Sequence, residues 1–207
     1  MTLLPQRPRL GFFVSHRGSN MRAIVSACKA GGLNAEPAVL ISNNRNSAAL
    51  VWAAENDLAH IHLSPKSVSS EEALDQAHLD ALLNANVDLI ILAGYMRKIG
   101  TKVLSAFSNR ILNIHPALLP MYGGQGMYGS RVHKAVIANR ETESGVTVHL
   151  VDDDYDTGAV VGQAKVPVLP ADTPEDLAAR VLAQEHLFFS EMLIRIVSGE
   201  INLDDLG

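Results

Sequence analysis

The feature that most constrains the fold of this sequence is the alternation of apolar runs with amphipathic segments through its first half. The apolar runs have the continuous hydrophobicity of strands buried on both faces of a sheet, and they are LGFFV (10–14), PAVLIS (37–42) and VDLIILAG (87–94). Segments with helical periodicity separate them, namely GSNMRAIVSACKAGG (18–32), SAALVWAAEN and EEALDQAHLDALLNAN. This alternation predicts an α/β fold built on a doubly wound, mostly parallel sheet.

The pattern changes after residue 120. MYGGQGMYGS (121–130) predicts a glycine-rich loop, and SGVTVHLV and AVVGQAKVPV predict two strands that pair antiparallel through DDDYDTG. The last segment, TPEDLAARVLAQEHLFFSEMLIRIVSG, predicts a long amphipathic helix with Thr173 as its N-cap. Because no repeat or linker interrupts these elements, we expect one domain over residues 1–207.

Composition excludes several classes of function. The formal net charge of −5 argues against broad nucleic-acid binding. Cys28 is the only cysteine, so neither an internal disulfide nor a cysteine-based metal cluster is possible. The apolar runs are too short to span a membrane, and polar residues follow the N-terminal apolar patch too soon for a signal peptide. We therefore expect a cytoplasmic protein without membrane partners, as a monomer or a homodimer.

The stretch ILNIHPALLP (111–120) carries the first candidate chemistry. In an extended strand Asn113 and His115 point to one side, and their apolar neighbours point to the other. Pro116 ends the strand directly after them. On spacing alone, two polar groups at a strand end are as consistent with a structural hydrogen-bond pair as with a catalytic site.

The stretch SHRGSNMRA (15–23) follows the first strand and opens a helix. In a doubly wound fold, free backbone N–H groups at such a helix start bind phosphate, and Ser19 and Asn20 add side-chain donors. The alternative is an ordinary strand–turn–helix joint with Ser19 as the N-cap. The motif matches neither of the common phosphate-binding glycine patterns.

The stretch DDDYDTG (152–158) crowds four carboxylates into one turn. Such a turn is commonly a solvated face, but crowded carboxylates also favour a protonated histidine nearby. The string DTGA resembles the aspartic protease motif, which occurs as a pair, so this alternative would require a dimer. His149, on the strand before this turn, is expected to be a core histidine.

Four motifs in order resemble the phosphoribosylglycinamide formyltransferases, a family of folate-dependent enzymes of purine synthesis. They are GSN after the first strand, AGYMR after the strand 87–94, NIHPALLP, and SGVTVHLVDDDYDTG. The similarity runs over residues 9–197, nearly the whole chain. It implies a single-domain formyltransferase fold and formyl transfer from 10-formyltetrahydrofolate to the amine of glycinamide ribonucleotide, with small molecules as the only partners and no metal.

The resemblance also implies roles for individual residues. Asn113, His115 and Asp156 fall on the catalytic positions of the family. The positions that bind the phosphorylated substrate are Gly18, Ser19, Asn20 and Glu185. The positions that bind the folate are Tyr95, Met96, Arg97 and Ile99, together with the backbone of Val151, Asp152, Asp153, Asp154 and Tyr155.

These residues suit the reaction, because a neutral amine needs no Ser or Cys nucleophile. It needs a donor for the developing oxyanion, which Asn113 and a protonated His115 supply, and a route for its proton, which Asp156 or a water bound to it supplies. Two alternatives stay open. One is another enzyme on the same core, either a formyltetrahydrofolate hydrolase or a sugar-amine formyltransferase, and the other is a catalytically silent nucleotide-binding module.

One departure from the family pattern concerns the phosphate loop. His16 stands two residues before Gly18, where many relatives have glycine. We therefore expect this loop to have less freedom to adopt positive φ.

Overall fold

The computed structural model describes residues 4–207, and within them it has seven strands and six α-helices. Residues 1–3 of the expected domain and of the N-terminal apolar patch lie outside the described residues. The strands are β1 (Arg9–Val14), β2 (Glu36–Ser42), β3 (His60–His62), β4 (Leu89–Leu92), β5 (Ile111–His115), β6 (Glu143–Leu150) and β7 (Val160–Pro167). The helices are α1 (Ser19–Lys29), α2 (Ala48–Glu55), α3 (Glu71–Asn84), α4 (Thr101–Ala106), α5 (Ser130–Ala138) and α6 (Pro174–Val197).

All seven strands form one sheet in the order β3-β2-β1-β4-β5-β6-β7. The pairs from β3 to β5 are parallel, whereas β5–β6 and β6–β7 are antiparallel. The predicted doubly wound sheet with antiparallel C-terminal strands is thus confirmed. The chain winds outward from β1 in both directions, so β1 and β4 flank the switch point at which such sheets bind ligands.

Each face of the sheet is covered by its own hydrophobic core. Along β5, Leu112 and Ile114 belong to one core and Ile111 to the other. Because side chains alternate along a strand, Asn113 and His115 share the face of Ile111 at the carboxyl end of β5. As the sequence predicts, Asn113 and His115 therefore lie on the face opposite to Leu112 and Ile114.

The long helix α6 begins as predicted. The Thr173 hydroxyl accepts a hydrogen bond from the Asp176 backbone N–H, and the Asp176 side chain accepts one from the Thr173 N–H. This reciprocal capping box satisfies two backbone donors at the helix start. Residues of α6 pack in the same core as residues of α1, which brings Glu185 next to the loop before α1.

After residue 120, two short elements are absent from the prediction. Helix α5 follows the glycine-rich loop and buries only Val132, His133 and Val136, a pattern too brief to stand out by periodicity. A 3-10 helix, Leu203–Asp205, follows α6. Within residues 4–207, no helix is both long and apolar enough to cross a bilayer.

Candidate active site

A cleft of about 970 Å³ opens at the carboxyl ends of the central strands. Its walls come from the loops after β1, β2, β4 and β5, from the glycine-rich loop and from the β6–β7 connection. Ligands of doubly wound proteins bind at this edge, because the strand order reverses there and leaves a crevice between adjacent loops. The volume lies at the upper end of the range for sites that bind small molecules.

Asn113 lies opposite His149, because the antiparallel register of β5 and β6 pairs these two residues. The Nδ1 atom of His149 is 2.7 Å from the Leu150 carbonyl. A carbonyl only accepts, so Nδ1 carries the hydrogen, and in the neutral ring Nε2 accepts from the Asn113 amide nitrogen at 3.1 Å. That bond orients the Asn113 amide and uses one of its two N–H groups.

His115 is buried, and both of its ring nitrogens face oxygen atoms. Nε2 lies 2.7 Å from the Tyr122 carbonyl, and Nδ1 lies 3.4 Å from Oδ2 of Asp156. Since both oxygens only accept hydrogen bonds, the arrangement suits an imidazole ring that carries a proton on each nitrogen.

Asp156 joins the two histidines. Its Oδ1 atom is 3.5 Å from His149 Nε2, and its Oδ2 atom also accepts the Gly124 backbone N–H at 2.9 Å. Burial by itself would raise the pKa of Asp156, but the hydrogen bond from His115, the charge on His115 and the Gly124 N–H hold it well below its usual range. The carboxylate therefore stays ionised.

Local geometry fixes Asp156 in this position. Its backbone adopts a left-handed conformation with φ of 59°, which aspartate tolerates better than most residues. Gly158 follows, and a Cβ atom there would come within 2.0 Å of the Leu150 carbonyl oxygen. The D-x-G spacing thus lets the turn lie directly against the end of β6, beside His149.

The loop between β1 and α1 forms the opposite end of the cleft. Gly18, rather than Ser19, is the N-cap of α1, with φ of 63° and no side-chain cap. The alternative with Ser19 as the N-cap is therefore wrong. The positive φ lies at Gly18 and not at His16, so the histidine does not hinder the turn. The first N–H groups of α1 face the cleft without a capping side chain, as an anion site requires.

Glu185 reaches this end of the cleft from α6. Its Oε2 atom accepts a hydrogen bond of 2.8 Å from the Asn20 side chain, 165 positions away. Burial raises the pKa of Glu185 to about 7, although the Asn20 hydrogen bond and the charge of His115 act in the opposite direction. A single donor does not offset the desolvation of this side chain.

Another wall of the cleft is formed by the segment after β4 and the β6–β7 connection, which contact each other. The Lys98 ammonium donates to the Asp153 carbonyl at 2.8 Å and to Asp154 at 3.2 Å, and it lies 5.1 Å from the centre of the Tyr155 ring. Arg97 makes two bonds of 2.8 Å to the Glu71 carboxylate. These contacts are exposed ion pairs, in contrast to the buried cluster around Asp156.

Comparison with known proteins identifies the family. The model of the family described as formyl transferase matches residues 8–193. The chain belongs to the formyl transferase family.

Several relatives within this family are phosphoribosylglycinamide formyltransferases. The chain is 40% identical over 204 residues to phosphoribosylglycinamide formyltransferase, chloroplastic, of Arabidopsis thaliana, covering 98% of this chain and 70% of that protein. It is 36% identical to phosphoribosylglycinamide formyltransferase of Haemophilus influenzae, covering 95% and 91% of the two chains. The crystal structure of glycinamide ribonucleotide transformylase 1 from Symbiobacterium toebii superposes with a TM-score of 0.87 at 36% identity, over 94% of this chain and 89% of that one. The resemblance predicted from the four motifs is confirmed.

The formyl transferase cleft contains nearly all of the residues that the sequence predicts for the site. Asp153 is the exception, since it contributes its carbonyl to Lys98 but does not line the cleft. The predicted residues that line the cleft are Gly18, Ser19, Asn20, Tyr95, Met96, Arg97, Ile99, Asn113, His115, Val151, Asp152, Asp154, Tyr155, Asp156 and Glu185.

Other lining residues of the formyl transferase cleft were not predicted. His149 is buried with both ring nitrogens partnered, as a core histidine would be, yet it also lines the cleft beside Asn113. Asn44, Asn46 and Ser47 line it after β2. These three follow the carboxyl end of a strand, as the GSN loop follows β1, and that position is the signal by which they could have been found.

Proposed function

We propose that this chain transfers the formyl group of 10-formyltetrahydrofolate to the amine of glycinamide ribonucleotide, a step of de novo purine biosynthesis. The observation that carries the proposal is the cluster that the buried His115 and His149 form with the half-buried Asn113 and Asp156 in the cleft. Both the fixed amide donor and the histidine–carboxylate pair suit transfer of an acyl group to an amine. The names of the relatives from Arabidopsis thaliana and Haemophilus influenzae support the same reaction.

The reaction forms a bond from the amine nitrogen to the formyl carbon and breaks the bond from that carbon to N10 of the folate. Negative charge develops on the formyl oxygen during this exchange. The donor that we assign to this oxygen is the second N–H of the Asn113 amide, which His149 leaves free. Both N–H groups of a protonated His115 face protein oxygens, so we assign His115 a stabilising effect through its positive charge. His149 thus acts on the reaction through the orientation of Asn113.

The amine loses one proton in this reaction, and N10 of the leaving folate gains one. The lowered pKa of Asp156 makes its carboxylate a weak base. We therefore assign the proton relay to water bound at Asp156 rather than to protonation of Asp156 itself. Its direct task is to keep His115 charged and correctly oriented.

The remaining predicted residues divide into two binding regions. Gly18, Ser19 and Asn20 offer backbone and side-chain donors to a phosphate, and Glu185 lies beside them to hold the glycinamide portion. We assign the folate to the wall formed by residues 95–99 and 151–155, where the exposed Met96 and Tyr155 side chains supply apolar and aromatic surface. The cleft volume accommodates two small substrates side by side.

The test is an assay of purified protein with 10-formyltetrahydrofolate, with and without glycinamide ribonucleotide. We expect formylation of the amine and negligible loss of formyl groups in its absence. Equal release of formate with and without the amine would identify a hydrolase. Transfer to a sugar amine but not to glycinamide ribonucleotide would identify the other alternative. Ligand binding without either reaction would identify a silent nucleotide-binding module.

We further propose that residues 1–207 form a single formyltransferase domain, which the family match over 8–193 supports. A location in the cytoplasm and a monomeric or homodimeric state stay predictions from the sequence. Cell fractionation with an antibody to the chain tests the first, and light scattering of the purified protein tests the second.

A further inference from the structure

Tyr122 lies behind His115, in the glycine-rich loop, and is not among the residues that line the cleft. Its backbone carbonyl is 2.7 Å from His115 Nε2. Because this oxygen only accepts, Nε2 must carry a hydrogen, which leaves Nδ1 as the nitrogen that faces Asp156. The position of the Tyr122 carbonyl thus determines which His115 nitrogen takes part in the pair with Asp156.

The hydroxyl of the Tyr122 side chain is held by two hydrogen bonds. Its hydroxyl donates to Oε1 of Glu141 at 2.6 Å and accepts from Nδ2 of Asn139 at 2.9 Å. Asn139 is the C-cap of α5, and Glu141 lies between α5 and β6. Burial and the hydrogen bond to Glu141 raise the pKa of Tyr122, so the hydroxyl keeps the proton that it donates. The ring therefore connects the glycine-rich loop to the turn before β6.

The backbone of Tyr122 needs such a support. Its φ of 57° lies in the left-handed region, which is unfavourable for a bulky residue. A tyrosine persists in this conformation only when its surroundings hold it there. The two hydrogen bonds to its hydroxyl are contacts that do so.

We propose that Tyr122 is a positioning residue, whose side chain is held by Glu141 and Asn139 so that its carbonyl fixes the ring of His115 in the orientation that faces Asp156. The proposal rests on the proposed function for its effect on turnover. The effect on the His115 ring does not depend on that function. The group that contacts His115 is therefore the backbone carbonyl of residue 122. A tyrosine is required at this position because its hydroxyl holds the loop in place.

Tyr122→Phe tests the proposal, because it removes only the hydroxyl. We expect kcat to fall roughly threefold to tenfold, since a lost hydrogen bond of this kind shifts the loop population by about that factor. KM for both substrates should stay unchanged, because Tyr122 does not line the cleft. Nitrogen-15 spectra of labelled histidine should show a hydrogen-bonded Nε2–H of His115 in the parent protein and a weakened or heterogeneous Nε2–H signal in the variant.

Three further variants separate positioning from a general loss of stability. Glu141→Ala should reproduce the effect of Tyr122→Phe and add nothing to it in the double variant, whereas Glu141→Gln, which keeps an acceptor oxygen, should restore most of kcat. Glu143→Gln is the matched control. Glu143 stands two positions after Glu141, and the substitution breaks an exposed ion pair with Lys165 instead of the hydrogen bond to Tyr122. It should leave both readouts at the parent values.

The parent kcat together with an unchanged His115 spectrum in Tyr122→Phe would overturn the proposal, as would an equal loss in Glu143→Gln. If Tyr122→Phe fails to fold, Glu141→Ala carries the same test without changing the tyrosine. If the parent protein transfers no formyl group, the proposed function fails. The His115 spectra then still decide whether Tyr122 positions the ring.

Discussion

Two carboxylates face the same cleft, and their proton affinities move in opposite directions. Asp156 has its pKa held well below the usual range, whereas burial raises the pKa of Glu185 to about 7. Both side chains are largely removed from water. The difference lies in their donors, because Asp156 accepts from His115 and from the Gly124 N–H, while Glu185 accepts from Asn20 alone.

This contrast shows that the number of donors decides the charge of each group more than its burial does. The end of the cleft with Asp156 is a completed electrostatic unit, in which a fixed negative charge supports a positive ring. The end with Glu185 is incomplete, and its carboxyl group has capacity for one further donor. A substrate that brings an amide or hydroxyl group to Glu185 would supply that donor.

The largest effect should come from breaking the completed unit. Asp156→Asn removes the negative charge that faces His115 Nδ1, so we expect kcat to fall by roughly a thousandfold. Steady-state kinetics with both substrates measure the loss, and circular dichroism checks the fold. Asp57→Asn is the control, because Asp57 is an exposed aspartate with the same left-handed backbone, at φ 57°. Turnover near that of the parent in Asp156→Asn would contradict the assigned role.

A somewhat smaller loss should follow from removing the neutral donor. We expect Asn113→Ala to lower kcat by roughly a hundredfold, since this is the usual effect of deleting one oxyanion donor. Asn113→Asp keeps the shape of the side chain but not the N–H, so it should be equally slow. If Asn113→Asp turned over at the parent rate, the amide would serve a structural purpose only.

The raised pKa of Glu185 should make the stability of the protein depend on pH. Glu185 has an ordinary pKa of 4.5 and a folded value of about 7. Both states are protonated below pH 4.5, but between these values only the folded state holds the proton, so the free energy of unfolding falls as pH rises. The fall should be on the order of 3 kcal/mol and complete above pH 7.

His78, His133 and His186, whose pKa values burial lowers, raise stability over the same range. Urea unfolding of the parent and of Glu185→Gln at pH 5, 6, 7 and 8 therefore isolates the Glu185 decrease as the difference between the two profiles. Asp156 does not interfere, because its stabilising effect is lost only in acid, below the ordinary aspartate pKa of 3.8. Glu191→Gln is the control on the same helix, since Glu191 is exposed. A profile of Glu185→Gln that falls as steeply as that of the parent would show that another group titrates.

The smallest effect should come from breaking the exposed contacts of Lys98 with the β6–β7 connection. Lys98→Met removes the hydrogen bonds to the Asp153 carbonyl and to the Asp154 carboxylate. We expect KM for the folate to rise about threefold, because exposed ion pairs contribute little. Lys102→Met is the control, because Lys102 binds Gln76 and does not line the cleft. A change above tenfold would mean that Lys98 contacts the folate directly.

Much of the site could be predicted because its motifs are local. Asn113 and His115 share a face through strand alternation alone, and Gly18 and Gly158 mark turns that need glycine. Helix α5 was missed, since three buried positions beside a glycine-rich loop give too weak a pattern. The N-cap at Thr173 could be predicted because its signal lies within a few residues of sequence.

The sequence by itself determined the winding of the sheet, the residues at the carboxyl ends of its strands and the family to which they belong. Only the tertiary structure decided how these residues act on each other. The antiparallel register places His149 against Asn113, the packing of α6 on α1 joins Glu185 to Asn20, and the glycine-rich loop turns the Tyr122 carbonyl onto His115. The physical reason is that periodicity and turn chemistry act over a few residues, whereas hydrogen-bond partners and desolvation depend on segments far apart in the chain.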